Sequence, residues 1–396
     1  MDITHKKLIS VIEIIFTLAY GFYLLICFYG TTMFMEKAYI SSLIYTVVRL
    51  LILGCAFAMI VITRRKFSVI QLVSTAIMGL LMLLIVFSTG YTTLIDLYAI
   101  CLFLFFIKPR IVFEIFTISM FCFMGITILA CAFGIIKNIG FNQSEHIRYA
   151  FGFIYPTDFA AHCLYLLLSY YVIKKRKISF MDIVACIIIA YLLYSFSFAR
   201  LDSILIILSI ILFVIFQAKP TLIHSKVVKA LFIFSFPVML VLSILLVFNY
   251  NPSNLIFKSI NLLINNRLDQ AYIGWNKYGL SLFGKAIKMQ GYGWSAAGFD
   301  NELGYFFIDN GYIQTLLCYG VLFTFIITIC VIIVQRYYIN KGNWKLCLAL
   351  FIISVSNLID CRYLAIAYSP FFFLFLYPFM CGEFFRMNSF ARSVEK

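Results

Sequence analysis

Leu201–Phe216 reads LDSILIILSIILFVIF, and this stretch decides the fold. After Asp202 and Ser203 the run is aliphatic or aromatic apart from Ser209. Backbone groups in hydrocarbon have no water partner, so a membrane-spanning segment must be a helix or part of a closed barrel. A barrel strand would alternate apolar and polar residues over about ten positions. Leu201–Phe216 shows no such alternation, so it reads as a transmembrane helix.

Outward from this run, the chain repeats the pattern in both directions. Nearly every apolar run reaches the roughly 20 residues that cross hydrocarbon as a helix. With 64% hydrophobic and 12% charged residues among 396, too little polar surface exists for a water-soluble domain. The expected fold class is all-α, a polytopic membrane domain over 1–396 with about 12 transmembrane helices. Helices are expected near 9–29, 40–62, 68–88, 91–107, 111–136, 151–173, 178–199, 201–218, 230–249, 311–335, 344–364 and 366–385. One long loop, 250–310, breaks the pattern.

The net charge of +15 does not call for nucleic acid, because the basic residues are scattered among short loops, as the positive-inside rule distributes them. With a cytoplasmic N-terminus, 20 of the 31 Lys and Arg fall on inner segments, among them Arg64, Arg65, Lys66 and the run Lys174–Lys177. Both termini are then inside and the long loop outside. The 12 cysteines lie almost entirely in spans as small apolar fillers, and none lies in the loop, so no disulfide framework is expected there. The basic N-terminus followed by a long apolar run reads as an uncleaved first span. No GxxxxGK[ST], HExxH or metal-spaced Cys/His pattern occurs, so no cofactor or metal is expected.

Polar residues that break the apolar pattern carry the functional signal. Arg200 stands at a tight hairpin in SFSFARLDS, with Asp202 two positions on. It is read either as a snorkelling arginine with a local ion pair or as a fork presented to phosphate oxygens. Asp158, His162, Tyr165 and Ser169 share one helical face, as polar contacts between helices or as the lining of a cavity. Asp96, Glu13 and Glu114 read as isolated and structural.

In the loop, Asn265, Asn266, Arg267 and Asp269 form a polar cluster between amphipathic stretches 255–268 and 271–287. Trp275, Tyr278, Tyr292, Trp294 and Phe299 suit either the membrane interface or the apolar faces of sugar rings. Gly291, Gly293 and Gly298 permit tight turns beside a ligand, and Asp300, Glu302 and Asp309 add carboxylates. Asp309-Asn310-Gly311-Tyr312 opens the next span, and one of its first two residues is expected to cap that helix. Asp360 and Arg362 lie on the same side.

With these residues in place the chain resembles the Wzy-type polysaccharide polymerases, which are related to O-antigen ligases. The specific matches are Asn266-Arg267-Leu268 followed by Leu282-Phe283-Gly284, and Asp309-Asn310-Gly311-Tyr312 followed by Leu316-Leu317 and Tyr319-Gly320. The arginine closing SFSFAR matches a further family position, and the resemblance covers most of the chain through its layout. It implies a GT-C-like fold in the bacterial cytoplasmic membrane. The implied activity is polymerisation of undecaprenyl-diphosphate-linked oligosaccharide repeats into an O-antigen, capsule or exopolysaccharide. Flippase and chain-length regulator proteins are implied partners.

The expected catalytic residues are Asp309 as base, with Arg200 and Arg267 holding the diphosphate. Substrate-binding residues are expected at Asp158, His162, Asn266, Trp275, Tyr292, Trp294, Asp300, Asn310, Tyr312 and Arg362. Where related ligases carry a candidate histidine after the long loop, this chain has Asp309. A ligase-like glycan transferase and a lipid-linked oligosaccharide flippase or transporter are the alternatives. A single asymmetric loop, rather than two halves of similar layout, favours an enzyme over a transporter.

Overall fold

The computed structural model describes residues 3–38, 40–63, 67–143, 146–291, 293 and 305–381. It is mostly helical. The first five helices are α1 (Ile3–Tyr29), α2 (Ser42–Thr63), α3 (Val69–Thr89), α4 (Thr93–Phe103) and α5 (Pro109–Ala132). A two-stranded antiparallel hairpin, β1 (Gly140–Gln143) and β2 (His146–Tyr149), follows. The chain continues through α6 (Pro156–Ile173), α7 (Phe180–Leu192), α8 (Arg200–Ala218) and α9 (Lys226–Phe248). The long loop carries α10 (Leu255–Leu263) and α11 (Arg267–Tyr278). Four further helices close the bundle: α12 (Gly311–Cys318), α13 (Gly320–Asn340), α14 (Trp344–Ser356) and α15 (Phe372–Met380).

Among the described residues, eight helical segments are long and apolar enough to cross a bilayer, and this is a multi-pass membrane protein. Four of the expected 12 runs fall outside this set: 91–107 forms only the short α4, 151–173 forms the more polar α6, and the other two are short and buried. The runs expected at 344–364 and 366–385 form only α14 and α15, and both are sheathed by other helices rather than lipid. All nine residues of α15 are buried, as expected of a helix that is apolar all round. A helix packed inside protein need not match the bilayer thickness. The span expected at 311–335 breaks at Tyr319–Gly320 into α12 and α13.

Two turns shape the loop end of the bundle, where α9 ends and α12 begins. α7 finishes in a π-helical turn, Leu193–Ser197, and Phe198 takes a left-handed conformation (φ 49°) before α8 starts. Such turns recur at functional sites. The β-hairpin sits on this corner: Arg148 Nε donates to the Ser197 carbonyl at 2.9 Å, and the Ser197 hydroxyl donates to the Tyr149 carbonyl at 3.0 Å.

The second junction explains a sequence motif. Gly284 (φ 82°) and Gly320 (φ 88°) meet backbone to backbone, where a Cβ on Gly284 would lie 2.1 Å from the Cys318 carbonyl oxygen. Lys285 N–H donates to Leu317 O at 2.9 Å, and Val321 N–H donates to Ser281 O at 3.0 Å. The Leu282-Phe283-Gly284 and Tyr319-Gly320 pairs therefore mate, staking the far end of the loop to the bundle. Both left-handed φ values and the absence of space exclude any side chain there.

Within the bundle, Asp96 is not isolated. Arg49 of α2 forms a bidentate pair with it, and the Tyr23 hydroxyl donates to Asp96 Oδ2 at 2.6 Å. Glu114 likewise accepts from Arg110 at 2.6 Å, one turn away on α5.

Candidate functional site

The loop ends of α6, α8, α11 and α12 gather charged side chains. The strongest strut is Arg362, in the short turn that follows α14. Its Nη2 donates to Asp158 Oδ1 at 2.7 Å and to Thr157 Oγ1 at 3.3 Å, and its Nη1 donates to Asp360 Oδ1 at 2.5 Å. The Tyr368 hydroxyl donates to the same Asp158 oxygen at 2.8 Å. Asp158 occupies the first turn of α6, where Pro at N1 starts the helix without wasting an N–H. Most of Arg362's donors are occupied, so it is a fastener between α6 and the segment after α14.

Arg267 is held more loosely. It is the first residue of α11, and its Nη1 donates to the Ile359 carbonyl. Its Nε lies 3.5 Å from Asp309 Oδ2, longer than a well-formed N–H···O bond of about 2.7–3.2 Å. Burial works against the Arg267 charge, but the Asp309 and Asp360 carboxylates overcome it and raise its pKa. Asp309 is itself buried, at 8% exposure, and burial lifts its carboxyl above the ordinary range despite the opposing Arg267 and Arg362 cations.

Asn310, not Asp309, caps α12. Its Oδ1 accepts from Tyr312 N–H at 3.1 Å and Ile313 N–H at 3.0 Å. Its Nδ2 donates to Ser243 Oγ at 3.1 Å and Leu358 O at 2.8 Å. Gly311 N–H donates to Asn357 O at 2.9 Å, and a Cβ on Gly311 would meet the Asp360 carbonyl at 2.6 Å. The Asp-Asn-Gly-Tyr motif is thus a docking element that presses the start of α12 onto the end of α14 and leaves Asp309 beside Arg267.

Arg200 and Asp202 do not pair. They occupy the first and third positions of α8, and residues two apart on a helix face different ways. Arg200 is exposed and has no ion-pair partner among the described residues, whereas Asp202 is 7% exposed. The signal missed in the sequence is Arg148 of β2, 5% exposed beneath the hairpin. Burial depresses its pKa, and the Arg267 and Arg200 cations push it further down against the phenol of Tyr155. Its one trace in the sequence was an arginine between two spans, outside every basic loop run.

The α6 face lies deep in the bundle. His162 is 1% exposed; its Nε2 lies 3.0 Å from Thr31 Oγ1, and its ring stacks on Tyr368 with centroids 4.2 Å apart. His162 Nδ1, the Tyr165 hydroxyl and Asp360 Oδ2 are buried without a hydrogen-bond partner among the described residues. Ser169 bonds Thr117 at 2.7 Å, far down the helix.

The remaining expected residues divide by place. Asn266 takes a left-handed conformation (φ 62°) before α11, and its Oδ1 accepts from Asn261 Nδ2 at 3.1 Å. Trp275 packs half-buried against the small core under the loop. Tyr312 is fully buried and donates its hydroxyl to Ser354 O at 2.7 Å. Tyr292, Trp294 and Asp300, with Phe299 and Glu302, lie outside the described residues.

Compared with known proteins, the chain matches no family model, no curated protein and no solved structure. Fold and site define its class on their own terms: a multi-pass membrane protein in which Arg267 and Arg362 meet Asp309, Asp158 and Asp360 at the loop end of the bundle, with Arg148, Arg200 and Asp202 nearby.

Proposed function

We propose that this cluster is the active site of a polysaccharide polymerase that extends a glycan carried on undecaprenyl diphosphate, on the external face of the bacterial cytoplasmic membrane. The observation that carries the reading is the loose Arg267–Asp309 pair, with Arg148 and Arg200 in the same electrostatic field. A lipid-linked glycan presents a diphosphate at the membrane surface. Arginine forks suit its oxygens, and Arg200 has no ion-pair partner among the described residues. Arg362, fastened to Asp158 and Asp360, sets the walls instead.

In the reaction, a hydroxyl oxygen of the incoming repeat attacks the anomeric carbon that joins the growing chain to its lipid diphosphate. The new C–O bond forms as the old one breaks, and the electron pair leaves with the diphosphate. Arg267 and Arg200 stabilise the departing negative charge. The acceptor's proton passes to a carboxylate, assigned to Asp309. A diphosphate needs no strong acid to leave, so one base and a cationic cradle suffice.

Purified protein in proteoliposomes, given undecaprenyl-diphosphate-linked repeats, is expected to yield a ladder of longer lipid-linked glycans. Arg200→Lys keeps the charge but loses the fork, and is expected to slow that ladder by about tenfold or more, as losing one charge-assisted hydrogen bond does. Unchanged single repeats with folded wild-type protein would reject the polymerase reading. The orientation has its own check: a cysteine replacing exposed Asn276 of α11 is expected to react with an impermeant thiol reagent in intact cells, above the wild-type background. Reaction only after permeabilisation would place the loop inside.

A further inference from the structure

We infer that α10 is a membrane-surface helix, seated in the headgroup–acyl boundary of the leaflet on the loop side, and that phospholipid is its binding partner. Leu255, Ile256, Leu262 and Leu263 are 80%, 70%, 61% and 71% exposed. Spaced at i, i+1, i+7 and i+8, they form one face of the helix. The opposite face, with Phe257, Ile260 and the buried Asn261, packs onto the small core under the loop. The helix thus has one protein-facing side and one exposed side, aliphatic apart from Ser259, that nothing among the described residues covers.

Two further observations choose lipid as the occupant. Only residues 249–254 separate α10 from Phe248, the last residue of the membrane-spanning α9 and itself 71% exposed. Val238, Val241 and Leu245 continue that exposed stripe down α9, an apolar surface that a membrane-spanning helix turns to lipid, and α10 follows it directly in the chain. Lys258 is exposed at the edge of the aliphatic face, where its ammonium reaches phosphate while its stem stays with the apolar residues.

The seat has a consequence for the cluster. Asn265 and Asn266 both adopt left-handed conformations, turning the chain sharply from α10 into α11, whose first residue is Arg267. Asn261 locks that turn: its Nδ2 donates to Asn266 Oδ1, and its Oδ1 accepts from Asp269 N–H at 3.1 Å. The bilayer surface therefore sets the height of the Arg267 guanidinium through a short, locked connection. This holds whatever reaction the cluster performs.

A benzophenone-bearing amino acid placed at Leu263 in the full chain tests the seat, in nanodiscs of phosphatidylethanolamine and phosphatidylglycerol. Irradiation is expected to add the mass of one phospholipid several-fold more often than the same residue at Asn276 of α11. Leu255 serves as the second site should the Leu263 variant fail to fold. Adducts joining two copies of the chain would replace lipid with a dimer contact. No adduct, or equal lipid labelling at Asn276, would also overturn the inference.

Discussion

Asp309→Asn is expected to lower glycosyl transfer by about 10²–10⁴-fold, the usual contribution of a positioned general base. The protein should remain folded, because the cap of α12 belongs to Asn310, whose Oδ1 serves both Tyr312 and Ile313 N–H. The carboxamide introduced at 309 keeps the size of the side chain and still faces Arg267, but it cannot take a proton from a sugar hydroxyl. Lipid-linked single repeats should therefore accumulate while donor binding is nearly retained. The wild-type pH profile supplies a second readout. Burial raises Asp309, so the reactive carboxylate is lost as pH falls through that elevated value, and the acid limb of the rate should lie above the ordinary carboxylate range. A residual rate in Asp309→Asn should lack that limb. Wild-type transfer by folded Asp309→Asn would remove Asp309 as the base and turn attention to Asp158 and His162.

The membrane class is legible because spanning a bilayer depends on length and hydropathy, both one-dimensional properties. Leu201–Phe216 displays them without any tertiary knowledge, and all of it falls within α8. Counting spans is less secure for the same reason. α15 is as apolar as any span, yet its nine residues are buried in protein, and hydropathy cannot distinguish lipid from a protein interior. α6 shows the other side of the same limit: it was counted as a span at 151–173, yet Asp158, His162, Ser169 and three tyrosines lower its hydropathy, and it packs against α5 and α8.

At the site, the residue types were legible and their pairings were not. The local Arg200–Asp202 pair looked natural from two-residue proximity, but helical geometry sends those side chains apart. Asp96 looked isolated because its partner, Arg49, lies 47 positions away on another helix. Arg148 reaches the cluster only because a β-hairpin folds over the α7–α8 corner, a tertiary event with no periodic signature. Gly284 and Gly320 stood in the sequence only as motif residues, because the backbone contact that excludes their side chains joins segments far apart in the chain.

Arg362→Met is expected to destabilise the folded protein by about 3–5 kcal/mol, the cost of removing one partner from a buried ion pair. The guanidinium serves two carboxylates at once, Asp158 at 2.7 Å and Asp360 at 2.5 Å, and its side chain is only 14% exposed. Deleting it strands two negative charges, with Asp360 Oδ2 already lacking a hydrogen-bond partner among the described residues. Thermal unfolding in detergent should shift downward, and the loss should be smaller when Asp158→Asn accompanies Arg362→Met, because one stranded charge is gone. That coupling separates a fastening role from direct contact with substrate. A substrate-contacting arginine would leave the melting temperature nearly unchanged and slow transfer to the same degree in the single and double variants. Equal destabilisation by Arg362→Met with and without Asp158→Asn would break the fastener assignment.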